Sequence, residues 1–401
     1  MTSLKIGLFT PAWPGSSLPN GIVTSTRNLA RGLKELGHLP VILSNRIEDE
    51  RPIDIPAVRI RPRQTRIADR LLGKFDSIAG MRRAAARTQS EAVLRAIAEP
   101  GLDVLLMEET HGWAGLVQKR VPIPVIVVLR GPWILHKELQ SVMDAQGDAS
   151  RIAAEGRALR AAPGLISPSR NVLRIAQEHY DLGGVPAEVI PNAAQIPEET
   201  SAEDVPSDLP QGDILFVGRF DDHKGGDVVL EAVARMRSGG RVTFVGPDRG
   251  VMRQGAGTLH IEEALTALPE EARERVAWIG LQPREAVAAL RRRHAIAVVA
   301  SRYENFGNVA IEAMAAGQAI VSTNVGGLPE MYDDGVSALL IPPGDPDAMA
   351  RALDRLVADT AFARSLGEAA RDRVDREFSI QRVAGRVADF AATTIERHGR
   401  R

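Results

Sequence analysis

Two carboxylates, Glu304 and Glu312, lie eight positions apart in the segment ASRYENFGNVAIEAMAAGQAIVSTNVGG (300–327), on either side of Gly307. A carboxylate accepts hydrogen bonds from vicinal hydroxyls, so two of them held apart along one ligand suit a sugar at one end and a ribose at the other. Upstream, the turn GRFDDHKGG carries Arg219 and Lys224. A guanidinium offers a fork of donors and an ammonium a mobile point charge, and together they can neutralise a diphosphate leaving group. The combination fits a nucleotide sugar. Taken singly, each residue has an ordinary alternative: Glu304 as a solvated loop residue, Glu312 as a helix former, and Arg219 and Lys224 as surface cations.

The elements around these residues decide between the readings. Ile296 to Ala300 is a short apolar run that reads as a buried parallel strand. Asn308 to Ala316 reads as a helix with Val309, Ile311, Ala313 and Met314 apolar and a stop at Gly317. At such a junction the unpaired N–H groups and the positive end of the helix dipole favour a phosphate, and Gly307 lets a ligand come close to the backbone. Glu304 precedes the helix, while Glu312 sits about one turn inside it, roughly 6 Å along the axis. A second strand, Ile214 to Val217, leads through Arg219 and Lys224 into a helix opening near Gly226, with Val229, Leu230, Val233 and Met236 on one face. Both turns are expected at the same edge of one sheet.

Strands at Lys5 to Phe9, Pro40 to Leu43, Val104 to Met107, Val125 to Leu129 and Gly164 to Ser167 alternate with helical stretches, which argues a parallel sheet with helices on both faces. The plan repeats from Ile214 to Ile341, and the acidic, proline-containing stretch Pro197 to Asp213 reads as a linker. Ligands of such sheets bind beyond the carboxyl ends of the strands, so two facing domains would form a cleft between them. The 401 residues suffice for two domains, and 44% hydrophobic with 25% charged residues is ordinary for a globular chain. A formal net charge of -1 gives no global pull toward nucleic acid, and an aromatic content of 4% offers no stacking platform for it. With no cysteine, disulfides and thiol chemistry are excluded. A run of about 18 apolar residues and a signal peptide are not found, so a cytoplasmic or peripheral location is the expectation. A nicotinamide site is disfavoured because no G-x-G-x-x-G follows the first strand.

The order VGRF, KGG, YENFGNVAIEAMAAG, VGGLPE and DGVSALLIPPGDP resembles the family 4 glycosyltransferases, a retaining family of GT-B architecture. The amino-terminal segment NGIVTSTRNLARGLKELGHLPVIL, together with SPSRNVLRIAQEHY and VIPNAAQIP, extends the resemblance over essentially the whole chain. It implies an α/β fold of two facing Rossmann-like domains. An acceptor-side domain (1–196), the linker (197–213) and a nucleotide-sugar-binding domain (214–378) are expected, with a last helical segment (379–401) crossing back to the first domain. It also implies transfer of a monosaccharide from a nucleoside-diphosphate sugar to a hydroxyl of a glycan or glycolipid, with retention and without a metal ion or cofactor. Cell-envelope polysaccharide or glycolipid is the expected product class, made at the inner face of the membrane.

By the family's pattern, backbone amides at Asn305, Phe306, Gly307, Asn308 and Val309 contact the donor, Glu312 meets the ribose, and Gly280 and Leu281 lie by the base. Gly21, just before the first helix, can offer its amide to the leaving phosphate. The favoured mechanism is front-face substitution, with Arg219 and Lys224 on the departing diphosphate and Glu304 orienting the sugar. A double displacement would need a carboxylate roughly 5 Å from its partner acid, which spacing in sequence does not reveal.

One departure from the family is the strand ending VIVVLRGPW, where Arg130 stands at the place many members fill with His. Arg130 cannot act as a base at neutral pH but suits an anionic acceptor, and His111 in MEETHGWAG is the candidate substitute. Trp13, Trp113 and Trp133 fall in the three predicted strand-to-helix turns of the first domain, where an indole can pack on a sugar face or simply fill the core. Residues 59–95 hold ten basic against three acidic side chains, a net of +7, with Ile67, Leu71, Leu72, Phe75 and Ile78 at helical spacing. Such a stretch suits an anionic membrane surface or a solvated helix packed on its own domain. Two other functions compete with transfer: a GT-B nucleotide-sugar epimerase, for which no paired carboxylate and histidine cluster is evident, and a non-catalytic nucleotide-sugar-binding partner.

Overall fold

The computed structural model describes residues 3–14, 21–47, 54–60, 77–98, 101–136, 145–194, 213–253 and 257–399. The chain divides into two compact units, Met1–Ala193 with Ile380–Arg401, and Ala194–Ser379. Most of the predicted linker, and the basic positions Arg61, Arg63, Arg66, Arg70 and Lys74, lie outside the described residues.

The first unit holds a seven-stranded sheet of β1 (Lys5–Trp13), β2 (Leu39–Ile47), β3 (Ala57–Arg59), β4 (Val104–Glu108), β5 (Val125–Val128), β6 (Leu165–Ser167) and β7 (Ala187–Val189). Their spatial order is β3-β2-β1-β4-β5-β6-β7, and every pairing is parallel. The reversal of order between β1 and β4 is the switch point of a doubly wound fold. The strand cores are continuous apolar runs because helices cover both faces. On one face lie the helix Gly21–Glu35 and the carboxy-terminal helix Ile380–Gly399. Those two helices approach so closely that a Cβ at Gly32 would stand 2.4 Å from the carbonyl oxygen of Ile380. Gln381 donates to Glu35, and Arg386 reaches Glu188 and the carbonyl of Val189 on β7.

The second unit is built on a six-stranded sheet from β8 (Ile214–Val217), β10 (Val242–Val245), β13 (Val276–Trp278), β14 (Ile296–Val299), β15 (Ala319–Thr323) and β16 (Leu339–Ile341), in the order β13-β10-β8-β14-β15-β16. All its pairings are parallel. A small three-stranded group, β9 (Phe220–Asp221), β11 (Asp248–Arg253) and β12 (Gly257–Leu259), stands at its side and has no counterpart in the sequence reading. Phe216, Phe220 and Phe244 pack together in the core beneath it. Because β8 and β14 are neighbours, the turns that leave them are adjacent too, which places Arg219 and Lys224 beside the loop holding Glu304.

Among the described residues, no helix is long and apolar enough to cross a membrane. The first strand runs on to Trp13, which is therefore a core residue and not part of a turn.

Candidate active site

Asp221 shapes the turn after β8. One of its carboxylate oxygens accepts the N–H groups of His223 (3.1 Å) and Lys224 (2.9 Å), and the other accepts from Arg219 Nε. The turn ends at Gly225 with φ 66°, in the left-handed region, and a Cβ there would lie 2.1 Å from the carbonyl oxygen of Ala300. Only glycine permits this approach of the turn to the end of β14. From the other side Arg302 donates its backbone N–H to His223 O at 2.8 Å and forks its guanidinium onto Asp227 at 2.6 and 3.1 Å. The Asp227 hydrogen bonds hold the Arg302 guanidinium above its ordinary pKa. The two turns are thus fastened together by Arg302, a residue that sequence reasoning passed over because its partner lies 75 positions away.

Within this frame the Lys224 ammonium contacts Glu304 Oε1, and Ser301 Oγ donates to the same oxygen at 3.2 Å. The backbone of Glu304 is clamped as well. Its carbonyl accepts from Gly327 N at 2.8 Å, and Gly326, at φ 56°, passes so close that a Cβ would stand 2.0 Å from that oxygen. Lys224, Ser301, Glu304, Gly307 and Val309 share the wall of one small, open pocket. Gly307 is the N-cap of the helix Asn308–Ala315, with no side-chain cap hydrogen bond of its own. Phe306 is turned inward, 7% exposed, with its ring edge-on to Phe378.

Arg219 does not line that pocket; its half-exposed guanidinium is occupied by Asp221. Glu312 lies on the same helix as Val309 but is held separately, by Arg291 Nη2 at 3.2 Å. Gly280, at φ 65°, follows β13 and gives its carbonyl to Gly246 N at 2.8 Å, while Leu281 is 57% exposed beside it. Asn305 lies in the loop between Glu304 and Phe306, and Asn308 is the first residue of the helix.

The remaining candidates belong to the first unit. Gly21 is exposed at the first position of its helix. His111 follows β4 in a short turn at φ 54° and ψ 11°, with its ring 5.2 Å from that of Trp113. Arg130 follows β5 and donates through Nη1 to Asn192 at 2.8 Å. Two buried carboxylates support these loops. Glu109 accepts the N–H groups of Arg130 (2.9 Å) and Gly131 (2.8 Å). Glu155 accepts those of His111 (3.3 Å) and Trp133 (2.8 Å) and pairs with Arg151. Burial pushes Glu109 up to about 8, with the charge of Glu155 adding to the shift, and burial likewise raises Glu155. Arg151 covers one face of the Trp133 indole at 3.9 Å, and Asp148 accepts from the ring N–H at its edge. The sequence reading singled out neither Glu109 nor Glu155, since nothing in the neighbouring residues marks either as buried.

A doubly wound sheet in each unit, with paired charges at the strand ends of the second, defines the class, and comparison with known proteins agrees. Residues 197–373 match the family described as glycosyl transferases group 1, and residues 19–196 match glycosyltransferase family 4. The chain belongs to these group 1, family 4 glycosyltransferases. It is 28% identical to D-inositol 3-phosphate glycosyltransferase of Corynebacterium jeikeium over 88% of this chain and 87% of the relative. It is 34% identical to alpha-maltose-1-phosphate synthase of Mycobacterium tuberculosis over 44% of this chain, which spans 46% of that relative. An uncharacterized glycosyltransferase of Methanocaldococcus jannaschii is likewise matched over 46% of its own length. Among solved structures, sucrose-phosphate synthase from Thermosynechococcus elongatus superposes with a TM-score of 0.73 at 23% identity, covering 97% of this chain and 98% of the other. The Anabaena protein HepE in complex with UDP-glucose does so with a TM-score of 0.69 at 16% identity, covering 97% and 100%. These likenesses establish the GT-B fold.

Proposed function

We propose that the protein is a retaining glycosyltransferase that moves a monosaccharide from a nucleoside-diphosphate sugar to a hydroxyl of a glycan or glycolipid. The observation that carries the reading is the contact between Lys224 and Glu304 in a single pocket at the opening of the helix Asn308–Ala315. A diphosphate over that helix start is attracted by the dipole and the first amides, and it competes with Glu304 for the Lys224 ammonium. Once released, the Glu304 carboxylate can accept hydrogen bonds from the sugar and offset charge that builds at the anomeric carbon. Arg219 reinforces the phosphate side by exchanging Asp221 for the leaving group. The bond from the anomeric carbon to the phosphate oxygen breaks as a bond to the acceptor oxygen forms on the same face. The acceptor proton passes to the departing diphosphate, and no metal ion takes part in the step.

The activities for which these relatives are named, on inositol phosphate and in maltose-1-phosphate synthesis, support a polar hydroxylated acceptor carrying an anionic group. Arg130 suits such an acceptor in the first unit, because a guanidinium pairs with anions and keeps its charge at all ordinary pH. His111 is then a contact to the acceptor hydroxyl and not an obligatory base. The basic stretch 59–95 supports peripheral binding to anionic lipid, which salt-dependent co-sedimentation with anionic vesicles checks.

Incubation with a panel of nucleotide sugars tests the function. Slow release of free sugar with its anomeric configuration kept is expected in the absence of acceptor. Isomerised sugar would make the protein an epimerase, and binding without turnover a non-catalytic partner. Glu304→Gln with undiminished turnover would falsify the role given to that carboxylate.

A further inference from the structure

Behind Glu312 lies a buried polar chain that the mechanism above does not use. Arg291, 6% exposed, extends from the helix Arg284–Arg293 and divides its guanidinium among three acceptors: Gln318 Oε1 through Nη1 at 3.1 Å, and Val309 O (3.3 Å) and Glu312 Oε2 (3.2 Å) through Nη2. Gln318, 2% exposed, is itself fixed by donating to the carbonyl of His294 at 2.9 Å. His294 is pinned in turn between Leu290 O (2.7 Å) and Thr243 Oγ1 (2.8 Å). The chain therefore runs from β10 through three buried side chains to one oxygen of a carboxylate whose side chain is 42% exposed. Among the described residues, the other oxygen, Oε1, accepts no hydrogen bond.

A buried guanidinium is costly to desolvate, and removing one partner of such a pair leaves a charge uncompensated. Burial lowers the Arg291 pKa and the Glu312 charge opposes that shift. A solvated helix glutamate needs no such support, since exposed ion pairs contribute little to stability. The arrangement fits a carboxylate whose direction matters. We infer that Arg291, backed by Gln318, is a positioning residue for the donor: it holds Glu312 Oε2 so that Oε1 is aimed at a ribose hydroxyl of the nucleotide. The inference rests on the reading that Glu312 meets the ribose, and it assigns the selection of ribonucleotide over deoxyribonucleotide to a residue that never touches the ligand. Lysine at this position keeps the charge but lacks the planar fork that serves three acceptors at once.

Affinities for UDP, GDP and ADP, and for the 2′-deoxy and 3′-deoxy forms of whichever the wild type binds, supply the test by calorimetry on the full chain. The wild type should prefer the ribose form by about tenfold or more, the value of a hydrogen bond to a charged group. Glu312→Gln should lose most of that preference. Arg291→Lys should lose it to a similar extent while leaving affinity for the deoxy form within about twofold of wild type, and the double variant should be no worse than either alone. If Arg291→Lys weakens ribose and deoxy forms equally, or keeps the full preference while Glu312→Gln loses it, Arg291 is merely structural and the inference is overturned. If Glu312→Gln itself keeps the preference, the ribose contact fails and takes the inference with it. Should Arg291→Lys not fold, Gln318→Met, which removes the brace behind Arg291 at similar volume, is read by the same ratios.

Discussion

In the second unit Glu304 reaches from the loop after β14 to a lysine at the wall of a pocket. In the first unit Glu109, just past the end of β4, turns inward and gives both oxygens to the backbone of the Arg130–Gly131 loop. Both carboxylates follow parallel strands, yet their surroundings lead them to different work. Glu304 has a mobile ammonium as partner, which a phosphate can draw away. Glu109 has amide partners that no ligand can remove without unfolding a loop, and burial holds it partly protonated near neutral pH. A carboxylate with an exchangeable partner can serve a ligand, and one with backbone partners serves the scaffold.

The contrast is broken most directly at the charge pair. Lys224→Ala should lower turnover of a nucleotide-sugar donor by two to three powers of ten, roughly 3–4 kcal/mol of barrier, with little change in melting temperature. Glu109→Gln should do the reverse, lowering stability while leaving donor hydrolysis nearly intact. Steady-state kinetics and thermal melts on both variants decide the matter. Equal loss of turnover in the two would erase the distinction.

Next in size are the glycines that let the turns of the second unit close. Gly225→Ala and Gly326→Ala each place a Cβ near 2 Å from a carbonyl oxygen, and each should cost about 2–4 kcal/mol in denaturant unfolding. Gly37→Ala, at φ 82° but with nothing within 4 Å, should cost only about 1 kcal/mol. Similar losses at all three positions would show that backbone dihedral alone, and not the close approach of the turns, sets the cost.

A pH dependence separates the units further. Between 4.5 and about 8 the folded chain keeps a proton on Glu109 that the unfolded chain has released. The folded state binds more protons in that window, so its stability is greatest below it and falls as pH rises through it. Glu109→Gln should flatten this fall by roughly 1–3 kcal/mol across the window. An unchanged slope, measured by chemical denaturation from pH 5 to pH 8, would mean that other groups carry it. The smallest effect is expected at the exposed Arg174–Glu178 pair on the helix Arg170–Tyr180, where Arg174→Ala should stay within about 0.5 kcal/mol of wild type.

Sequence patterning made the strand-to-helix turns legible because apolar runs, a terminal glycine and helical periodicity coincide at Ile214–Gly226 and Ile296–Gly317. The meeting of Lys224 with Glu304 needed only the further step that their strands are neighbours. What stayed hidden depends on contacts distant along the chain. Arg291 is one of three consecutive arginines ending the helix Arg284–Arg293 and drew no notice in the sequence; its burial follows from the packing of that helix against the loop at Gln318. Glu109 and Glu155 gave no signal because charged residues read as solvated until a neighbouring loop is seen to need acceptors. Trp133 looked open to a sugar, whereas Arg151, eighteen positions on, covers one of its faces.

The helix Ile380–Gly399 has a consequence for how the protein is made. It supplies Val383, Ala384, Val387 and Phe390 to the core beneath β1, β4 and β5, and it presses on Gly32 and Gly164. During synthesis the amino-terminal unit therefore waits, one wall missing, until residues 380–399 have been made, after the whole of Ala194–Ser379. A nascent chain stalled before residue 380 should bind a nucleotide with its later-made half and remain open to protease in its earlier-made one.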